Sequence, residues 1–332
     1  MRLAGATVLV TGGTGFLGRH LCAELAAAGA AVVPVGRARC DLRRRRAVDR
    51  LLAAERPDAV VHLAAVVGGI GANRAHPGRF LYENAVMGLE LLDACRAAGV
   101  AKTVVAGTIC AYPKHAPVPF REAQLWDGYP EETNAPYGLA KKLLLAQCQA
   151  YRAEYGMNAV YLLPVNLYGP GDNFDLETGH VIPALIRRFV EAREAGAPAV
   201  TLWGDGSPTR EFLYVGDAAR AFRLALERYD GAAPVNVGSG HEVAIKDLAG
   251  LVAGVVGYRG ELAWDPARPN GQPRRRLDTS RAAAELGFVA SVPLADGVAA
   301  TVRWYEARRQ GASPAPRAPR GGRPRQASRR PR

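Results

Sequence analysis

A tyrosine and a lysine separated by three residues are the first side chains in this sequence whose spacing suggests catalysis. In the segment NAPYGLAKK, Tyr137 and Lys141 stand at i and i+4, which places both on one face of a helix. A neighbouring ammonium lowers the pKa of a phenol from about 10, so that the tyrosine can exchange a proton with a substrate oxygen. Thr108, a hydroxyl residue at the end of the preceding predicted strand, completes a candidate proton-transfer site.

A cysteine follows Thr108 closely, and its residue type leaves three interpretations open. Cys110, in GTICAYPKH, could be a small apolar side chain that fills a gap, half of a metal site, or an acid/base. The five cysteines show no CxxC spacing and no pairing with histidine at metal-ligand intervals, so no metal site is predicted. An odd, scattered set without a secretory leader fits a reducing compartment, and we expect a cytoplasmic protein.

A glycine-rich turn near the start of the chain indicates a dinucleotide site. The segment TGGTGFLG has a G-x-x-G-x-x-G spacing between a predicted strand and a predicted helix. Glycines there allow a tight turn, close approach of the backbone to a pyrophosphate, and close packing of the helix on the strand. The residues assigned to this turn are Gly12, Gly13, Thr14, Gly15, Phe16, Leu17 and Gly18.

The end of the second predicted strand distinguishes the two nicotinamide cofactors. NAD sites place an acid there for the ribose 2′-hydroxyl, whereas NADP sites need cations for the 2′-phosphate. This chain reads VGRARCDLRR, with Arg37 and Arg39 and no acid before Asp41. Because a guanidinium matches phosphate oxygens, the sequence predicts NADPH, with Asp41 a weaker candidate for the adenine amine.

Strands and helices alternate regularly through the first half of the chain. The predicted strands are 6–13, 31–36, 59–65, 102–108 and 159–169, and the predicted helices are 16–29, 43–55, 78–99 and 137–155. Near-continuous apolar strands between helices are typical of a parallel sheet covered on both faces. We therefore predict an α/β fold, with a Rossmann-type doubly wound parallel sheet and a smaller C-terminal mixed α/β substrate domain.

The regular alternation of predicted strands and helices ends after residue 170, which suggests a division into domains. We predict a cofactor domain over 1–169 with a return segment at about 210–240, and a substrate domain formed by 170–209 and 241–310. The remaining segment, 311–332, is rich in Pro, Arg and Gly and is predicted to be a disordered basic tail.

The charge of the chain argues against nucleic acid as a partner. The formal net charge is +12, but the last 21 residues hold seven Arg and no acid, so the body contributes only about +5. Only five of the 43 basic residues are Lys, which is typical of codon bias rather than of selection for phosphate binding. No apolar run approaches the roughly 20 residues of a membrane span.

Taken together, the glycine turn, Thr108, Tyr137 and Lys141 resemble the extended short-chain dehydrogenase/reductases that act on nucleotide sugars. Seven further segments, in order over about residues 5–290, are similar to the GDP-L-fucose synthase family: HLAAVVGGIGANRAHPGRFLYEN, GTICAYPKHAPVP, TNAPYGLAK, NLYGPGDNF, HVIPALIRRF, LWGDGSPTREFLYV and RPNGQPRRRLD. That family epimerises C3 and C5 of GDP-4-keto-6-deoxy-D-mannose and then reduces C4 with NADPH. The resemblance implies the same reaction here.

Individual roles follow from this resemblance. It makes Cys110 and His180 the acid/base pair for the epimerisations, which decides among the interpretations of Cys110. It assigns the cofactor, besides the glycine turn, the residues Ala106, Gly107, Lys141, Pro164, Val165, Asn166, Leu167 and His180. It assigns the GDP-sugar Arg188, Trp203, Arg210, Asn270 and Arg275. It also implies a homodimer through the helices 78–99 and 137–155.

Several positions depart from the family pattern. Thr108 stands for the usual Ser, Tyr214 for a His, Asn270 for an Asp and Arg275 for a Lys. No reacting group is lost, but the nucleotide base and the sugar stay open. The alternatives are another nucleotide-sugar 4-ketoreductase or 4-epimerase of a deoxysugar pathway, and, more remotely, an NADP-binding scaffold without catalysis.

Overall fold

The computed structural model describes residues 1–267 and 272–311 of the chain. Its strands are β1 (Thr7–Thr11), β2 (Ala31–Val35), β3 (Ala59–His62), β4 (Lys102–Ala106), β5 (Ala159–Pro164), β6 (Asn166–Tyr168), β7 (Ala199–Trp203), β8 (Thr209–Tyr214), β9 (Val235–Val237), β10 (Glu242–Ala244), β11 (Glu261–Asp265) and β12 (Arg274–Arg275). Its helices are α1 (Phe16–Ala27), α2 (Arg45–Glu55), α3 (Ile70–Ala75), α4 (Pro77–Ala97), α5 (Ala135–Tyr155), α6 (Val181–Glu194), α7 (Val215–Arg228), α8 (Ile245–Val256) and α9 (Leu294–Arg309).

Six parallel strands form the main sheet, in the order β2-β1-β3-β4-β5-β9. The central strands are buried along their whole length, as their uninterrupted apolar sequences require. The helices α1 and α7 pack together, and α2, α4 and α5 pack as a second group. These groups cover the two faces of the sheet, so the prediction of a doubly wound α/β fold is confirmed.

The segment 159–169, predicted as one strand, divides in two. Its first part, β5, pairs with β4 and β9 in the main sheet, whereas β6 pairs with β8 in a separate sheet. Val165 lies between them and donates its N–H to the carbonyl of Val237. The chain therefore leaves the main sheet directly after Pro164, and β6 carries its residues towards the smaller sheet.

A second hydrophobic core lies outside the main sheet. It is formed by apolar side chains of α6, α8 and α9, with Tyr168 and Phe212 at its border. Strand β8 pairs there with β6, β10 and β12, and β7 pairs with β11. After β8 the chain returns to the main sheet through α7 and β9. The exact domain boundaries stay a prediction, and residues 312–332 of the predicted tail lie outside the described residues.

Candidate active site

The glycine-rich turn connects β1 to α1, and its glycines are required by sterics. Gly12 has a φ of +70°, in the left-handed region that favours glycine. A Cβ on Gly18 would lie 2.1 Å from the carbonyl oxygen of Gly12, so any side chain there would force α1 away from the strand. Thr14 and Gly15 complete the turn and lead into the helix.

This turn fits a dinucleotide pyrophosphate. The N-terminus of α1 has no side-chain cap and no acidic residue in its first turn. No side chain therefore caps the first N–H groups of the helix, those of Phe16, Leu17 and Gly18, so they can donate hydrogen bonds to an anion. The helix dipole also favours an anion at this end. The chain thus presents the backbone cradle that a nicotinamide dinucleotide needs.

The charged residues after β2 differ in their availability to a ligand. Arg37 is exposed, and its side chain makes no hydrogen bond or ion pair within the described residues. Arg39 forms an ion pair with Glu55. Asp41 receives two hydrogen bonds from the Arg43 guanidinium, at 2.9 and 3.0 Å, and these lower the pKa of its carboxyl group to about 2. Arg37 is consequently the side chain of this group best placed for a phosphate.

Thr108, Cys110, Tyr137 and Lys141 come together at the carboxyl end of β4. Thr108 caps a short 3-10 turn by accepting a hydrogen bond from the N–H of Cys110, at 3.2 Å. Helix α5 lies tightly against this turn, since a Cβ on Gly138 would be 2.4 Å from the carbonyl oxygen of Cys110. Lys141 donates to the carbonyl oxygen of Ala106 at 2.9 Å, and its Nζ is 6.0 Å from the centre of the Tyr137 ring.

The electrostatics of this cluster differ from the expectation for Tyr137. Burial raises the pKa of the Tyr137 phenol, the nearby Cys110 adds to the rise, and the nearby hydroxyl of Thr108 opposes it. The expected lowering of this pKa by Lys141 was wrong, because burial of the phenol is the largest influence on it. Lys141 is itself buried, and its own pKa falls to about 8. The phenol is therefore protonated at neutral pH, as a proton donor requires.

His180 is the residue that precedes α6. Within the described residues its side chain makes no hydrogen bond to any of the other candidate catalytic residues. The side chain is accessible to solvent but has protein on most sides, and this desolvation lowers the pKa of its imidazole. A Cβ on the preceding Gly179 would lie 2.4 Å from the carbonyl oxygen of Asp175, so the loop can place His180 here only with glycine before it.

The other predicted cofactor residues line the ends of β4 and β5. Gly107 follows β4, and a Cβ there would meet the Tyr161 ring at 2.4 Å. Ala106 is buried, Pro164 ends β5, and Val165 and Leu167 lie on either side of Asn166. The amide of Asn166 donates to the carbonyl oxygen of Glu211 at 3.0 Å. These positions all lie at the carboxyl edge of the parallel strands, where ligands bind in this type of sheet.

The residues predicted to hold the nucleotide part of the substrate lie around the second core. Arg188, on α6, reaches the carbonyl oxygen of Thr201 at 3.4 Å. Trp203, at the end of β7, is 60% exposed, which leaves an indole surface for an aromatic ligand. Asn270 lies outside the described residues.

Two predicted substrate residues, Arg210 and Arg275, lie beside each other on paired strands. They are register partners of β8 and β12. Burial lowers the pKa of Arg210 to about 10, and the charge of Arg275 contributes to this change. Arg275 also donates to the sulfur of Cys110 at 3.8 Å. Two adjacent guanidinium groups favour an anionic ligand such as a diphosphate.

The sequence reasoning missed a buried carboxylate next to Arg210, which joins the backbone segments around these arginines. Glu211 is fully buried and accepts hydrogen bonds from the N–H groups of Leu277 and Gly240, at 2.6 and 2.7 Å. It thereby ties β8 to the segment that follows β12. The only sequence signal was an acid inside an apolar strand, next to Arg210.

A buried histidine at the end of β3 was also missed. His62 is fully buried, its Nδ1 lies 2.8 Å from the hydroxyl of Thr11, and its Nε2 has no partner in the described structure. Burial, with the nearby charge of Lys141, lowers the pKa of His62 to about 3. A neutral imidazole therefore lies beneath Lys141 and adds no second positive charge there.

The described residues contain neither a metal-binding cluster nor a membrane-spanning helix. No group of three or more His, Cys, Asp or Glu is arranged there to hold a metal ion. Among the helices of 1–267 and 272–311, none combines the length and apolar character needed to cross a membrane.

Comparison with known proteins gives a consistent result. The sequence model described as "NAD dependent epimerase/dehydratase family" matches residues 8–238. The chain is 45% identical to "Probable GDP-L-fucose synthase 1" of Oryza sativa, over 91% of this chain and 92% of that protein. It is 42% identical to "GDP-L-fucose synthase 1" of Arabidopsis thaliana, over 90% and 93% respectively.

A solved structure shows the same architecture. The "gdp-l-fucose synthetase from Naegleria fowleri bound to NADP" superposes with a TM-score of 0.86 and 28% sequence identity. The superposition covers 92% of this chain and 94% of that one. The comparisons thus support a nicotinamide dinucleotide as the cofactor of this fold.

Proposed function

The chain belongs to the NAD dependent epimerase/dehydratase family and, within it, to the GDP-L-fucose synthases, and from this premise we propose that it makes GDP-L-fucose. The substrate is GDP-4-keto-6-deoxy-D-mannose, which is epimerised at C3 and C5 and then reduced at C4 with NADPH. The observation that carries the proposal is the cluster of Thr108, Cys110, Tyr137 and Lys141 at the carboxyl edge of a dinucleotide-binding sheet.

The proposed cofactor site is the glycine turn together with the carboxyl ends of β4 and β5. The backbone N–H groups at the start of α1 hold the pyrophosphate, and the exposed Arg37 guanidinium holds the 2′-phosphate. When bound, the reduced nicotinamide supplies a hydride to C4 of the sugar. Lys141, buried against the carbonyl of Ala106, holds the ribose next to Tyr137.

Cys110 and His180 carry out the epimerisations in this proposal. The C4 carbonyl acidifies the protons on C3 and C5. At each carbon one residue of the pair takes the proton, the electron pair moves to the C4 oxygen, and the other residue returns a proton to the opposite face. The carbon is inverted without a change in oxidation state. Because desolvation lowers the pKa of His180, its imidazole is neutral at pH 7 and can accept a proton.

Tyr137 then completes the reduction. Its phenol is protonated at neutral pH and donates to the C4 oxygen as the carbonyl becomes an alcohol. The hydroxyl of Thr108 lies near enough to lower the pKa of the phenol, and in this proposal it orients the phenol towards the C4 oxygen. The paired guanidinium groups of Arg210 and Arg275 hold the diphosphate, with Arg188 and Trp203 towards the nucleoside.

A homodimer and a cytoplasmic location belong to the same proposal. The paired helices α4 and α5 support the dimer, because they expose Leu81, Tyr82 and Leu143. Sedimentation velocity measures this association, and a monomer at micromolar concentration would contradict it. The location rests only on the scattered free cysteines.

We predict that the preference for NADPH over NADH depends on Arg37. Arg37→Ser removes a charge-assisted hydrogen bond to the 2′-phosphate, and we expect kcat/KM for NADPH to fall about 10- to 100-fold. The value for NADH should stay within about twofold, since NADH has no phosphate there. Steady-state kinetics with both cofactors measures this. Arg39→Ser is the matched control, because Arg39 is already paired with Glu55. Equal losses for both cofactors would contradict the assignment.

The reaction itself is tested by NMR of the product formed in deuterated water. Purified protein, GDP-4-keto-6-deoxy-D-mannose and NADPH should yield GDP-L-fucose that carries deuterium at C3 and C5. Cys110→Ser should lose most of the deuterium incorporation. NADPH oxidation without deuterium uptake would instead indicate a simple 4-ketoreductase, and no reaction would indicate another nucleotide sugar.

A further inference from the structure

We propose that Arg275 is a positioning residue for Cys110, which holds the sulfur by hydrogen bonding and balances its negative charge whenever the thiol has given up its proton. The inference rests on the proposed function, in which Cys110 exchanges protons with the sugar. It adds to Arg275 a role in the epimerisation that is separate from binding the diphosphate.

The contact between the two residues is built by long-range packing. Arg275 lies on β12, and its Nη1 donates to the Sγ of Cys110 at 3.8 Å. The Nε of the same guanidinium donates to the Oε1 of Gln272 at 2.7 Å. The amide of Gln272 donates in turn to the carbonyl oxygen of Lys114, at 2.7 Å. Gln272 therefore ties the segment that carries Arg275 to the segment that carries Cys110.

Arginine is suited to this place because it can make both bonds at once. Its planar guanidinium offers five N–H donors in a fixed arrangement, so one edge can bind Gln272 while an end nitrogen reaches the sulfur. A lysine has a single flexible ammonium and would lose the fixed orientation. The side chain is half-buried, which restricts its alternatives.

The charges around the site favour a negative sulfur. No carboxylate of the described residues lies within ion-pair distance of Arg275, whereas the neighbouring Arg274 is bound to Glu242. Arg210, the register partner of Arg275 on β8, adds positive charge, and the charges of Glu131 and Glu242 oppose it. On the other side, α5 presents the uncharged phenol of Tyr137. A cation beside a cysteine stabilises its thiolate.

Alkylation of Cys110 tests the inference without substrate. The full chain is treated with iodoacetamide between pH 5.5 and 9.5, and the modification of Cys110 is followed by peptide mass spectrometry. We expect Arg275→Met to slow alkylation at pH 7 about tenfold and to move the midpoint of the pH profile up by about one unit. Arg275→Lys, which keeps the charge, should lie between the wild type and Arg275→Met.

Two internal controls define the result. Arg274→Met removes an adjacent arginine that is bound to Glu242, and it should leave the profile unchanged. Cys22, the other half-buried cysteine, should react equally in every variant. If the midpoint for Cys110 is the same in Arg275→Met as in the wild type, the inference is wrong, even where the maximum rate changes.

The same variants separate this inference from the proposed function. Deuterium uptake at C3 and C5 in the wild type, together with an unchanged alkylation midpoint in Arg275→Met, would refute only the role of Arg275. A shifted midpoint without deuterium uptake in the wild type would refute only the proposed reaction. If Arg275 served only to bind the diphosphate, Arg275→Met would raise KM for the sugar and leave the alkylation of Cys110 unaffected.

Discussion

Tyr137→Phe should lower the rate of NADPH oxidation with the keto sugar by about 10²- to 10⁴-fold, while the chain keeps its fold. The substitution removes one hydroxyl from a half-buried ring. That hydroxyl is the group with a raised pKa that faces Thr108 and Cys110. Without it, the C4 oxygen loses the proton donor that the proposed mechanism assigns to it. Single-turnover kinetics at pH 7 measures the loss directly.

The epimerisations should suffer less from the same change. Removal of protons from C3 and C5 depends on Cys110 and His180, so deuterium uptake should fall by about tenfold or less, through weaker stabilisation of the C4 oxygen. Tyr151→Phe is the matched control. It makes the same change on the same helix, where the hydroxyl is bonded to Asp93, and turnover should be unaffected. Retention of a tenth or more of the reductase rate in Tyr137→Phe would remove Tyr137 from the mechanism.

Lys141→Met should raise the free energy of unfolding at pH 7 by about 1–3 kcal/mol and abolish turnover. Lys141 is 1% exposed, and burial lowers its pKa from 10.5 to about 8. At pH 7 the lysine is charged in both states, so the folded state bears the cost of a buried charge. The lost hydrogen bond to Ala106 reduces the gain, which is why the lower end of the range is included.

The pH dependence identifies the cause of this stabilisation. Between about pH 8 and 10.5 the unfolded wild type binds the proton and the folded one does not, so its free energy of unfolding rises with pH. The Met variant lacks this rise, and its advantage should shrink across that window. Thermal melts at pH 7 and pH 10 measure the difference. Lys246→Met, at an exposed lysine, should show no such change. A destabilised Lys141→Met at pH 7 would show that the hydrogen bond outweighs the buried charge.

Both predictions concern a site in which groups that the reaction needs lower the stability of the folded protein. Desolvation lowers the pKa of the Lys141 ammonium and raises the pKa of the Tyr137 phenol, and His62 near Lys141 is neutral, so the protein surroundings set these proton affinities. Replacing such groups with apolar ones removes the function and relieves the cost of burial.

The sequence by itself determined the fold class and most of the candidate site. The alternation of apolar strands and amphipathic helices, the glycine spacing and the pair Tyr137 and Lys141 are local patterns. Local patterns follow from the repeat of a strand or a helix, so they can be interpreted without knowing the neighbours. The sequence also showed that Arg275 stands at a position where the family has a lysine.

Only the tertiary structure decided what these residues touch. Arg275 and Cys110 are separated by 165 positions, and their contact depends on how β12 pairs with β8. The buried Glu211, which ties these segments together, left little trace in the sequence. The raised pKa of Tyr137 reversed an expectation based on helical spacing. Spacing determines which groups are near, whereas their depth in the protein determines the cost of charge, and depth is a property of the whole fold.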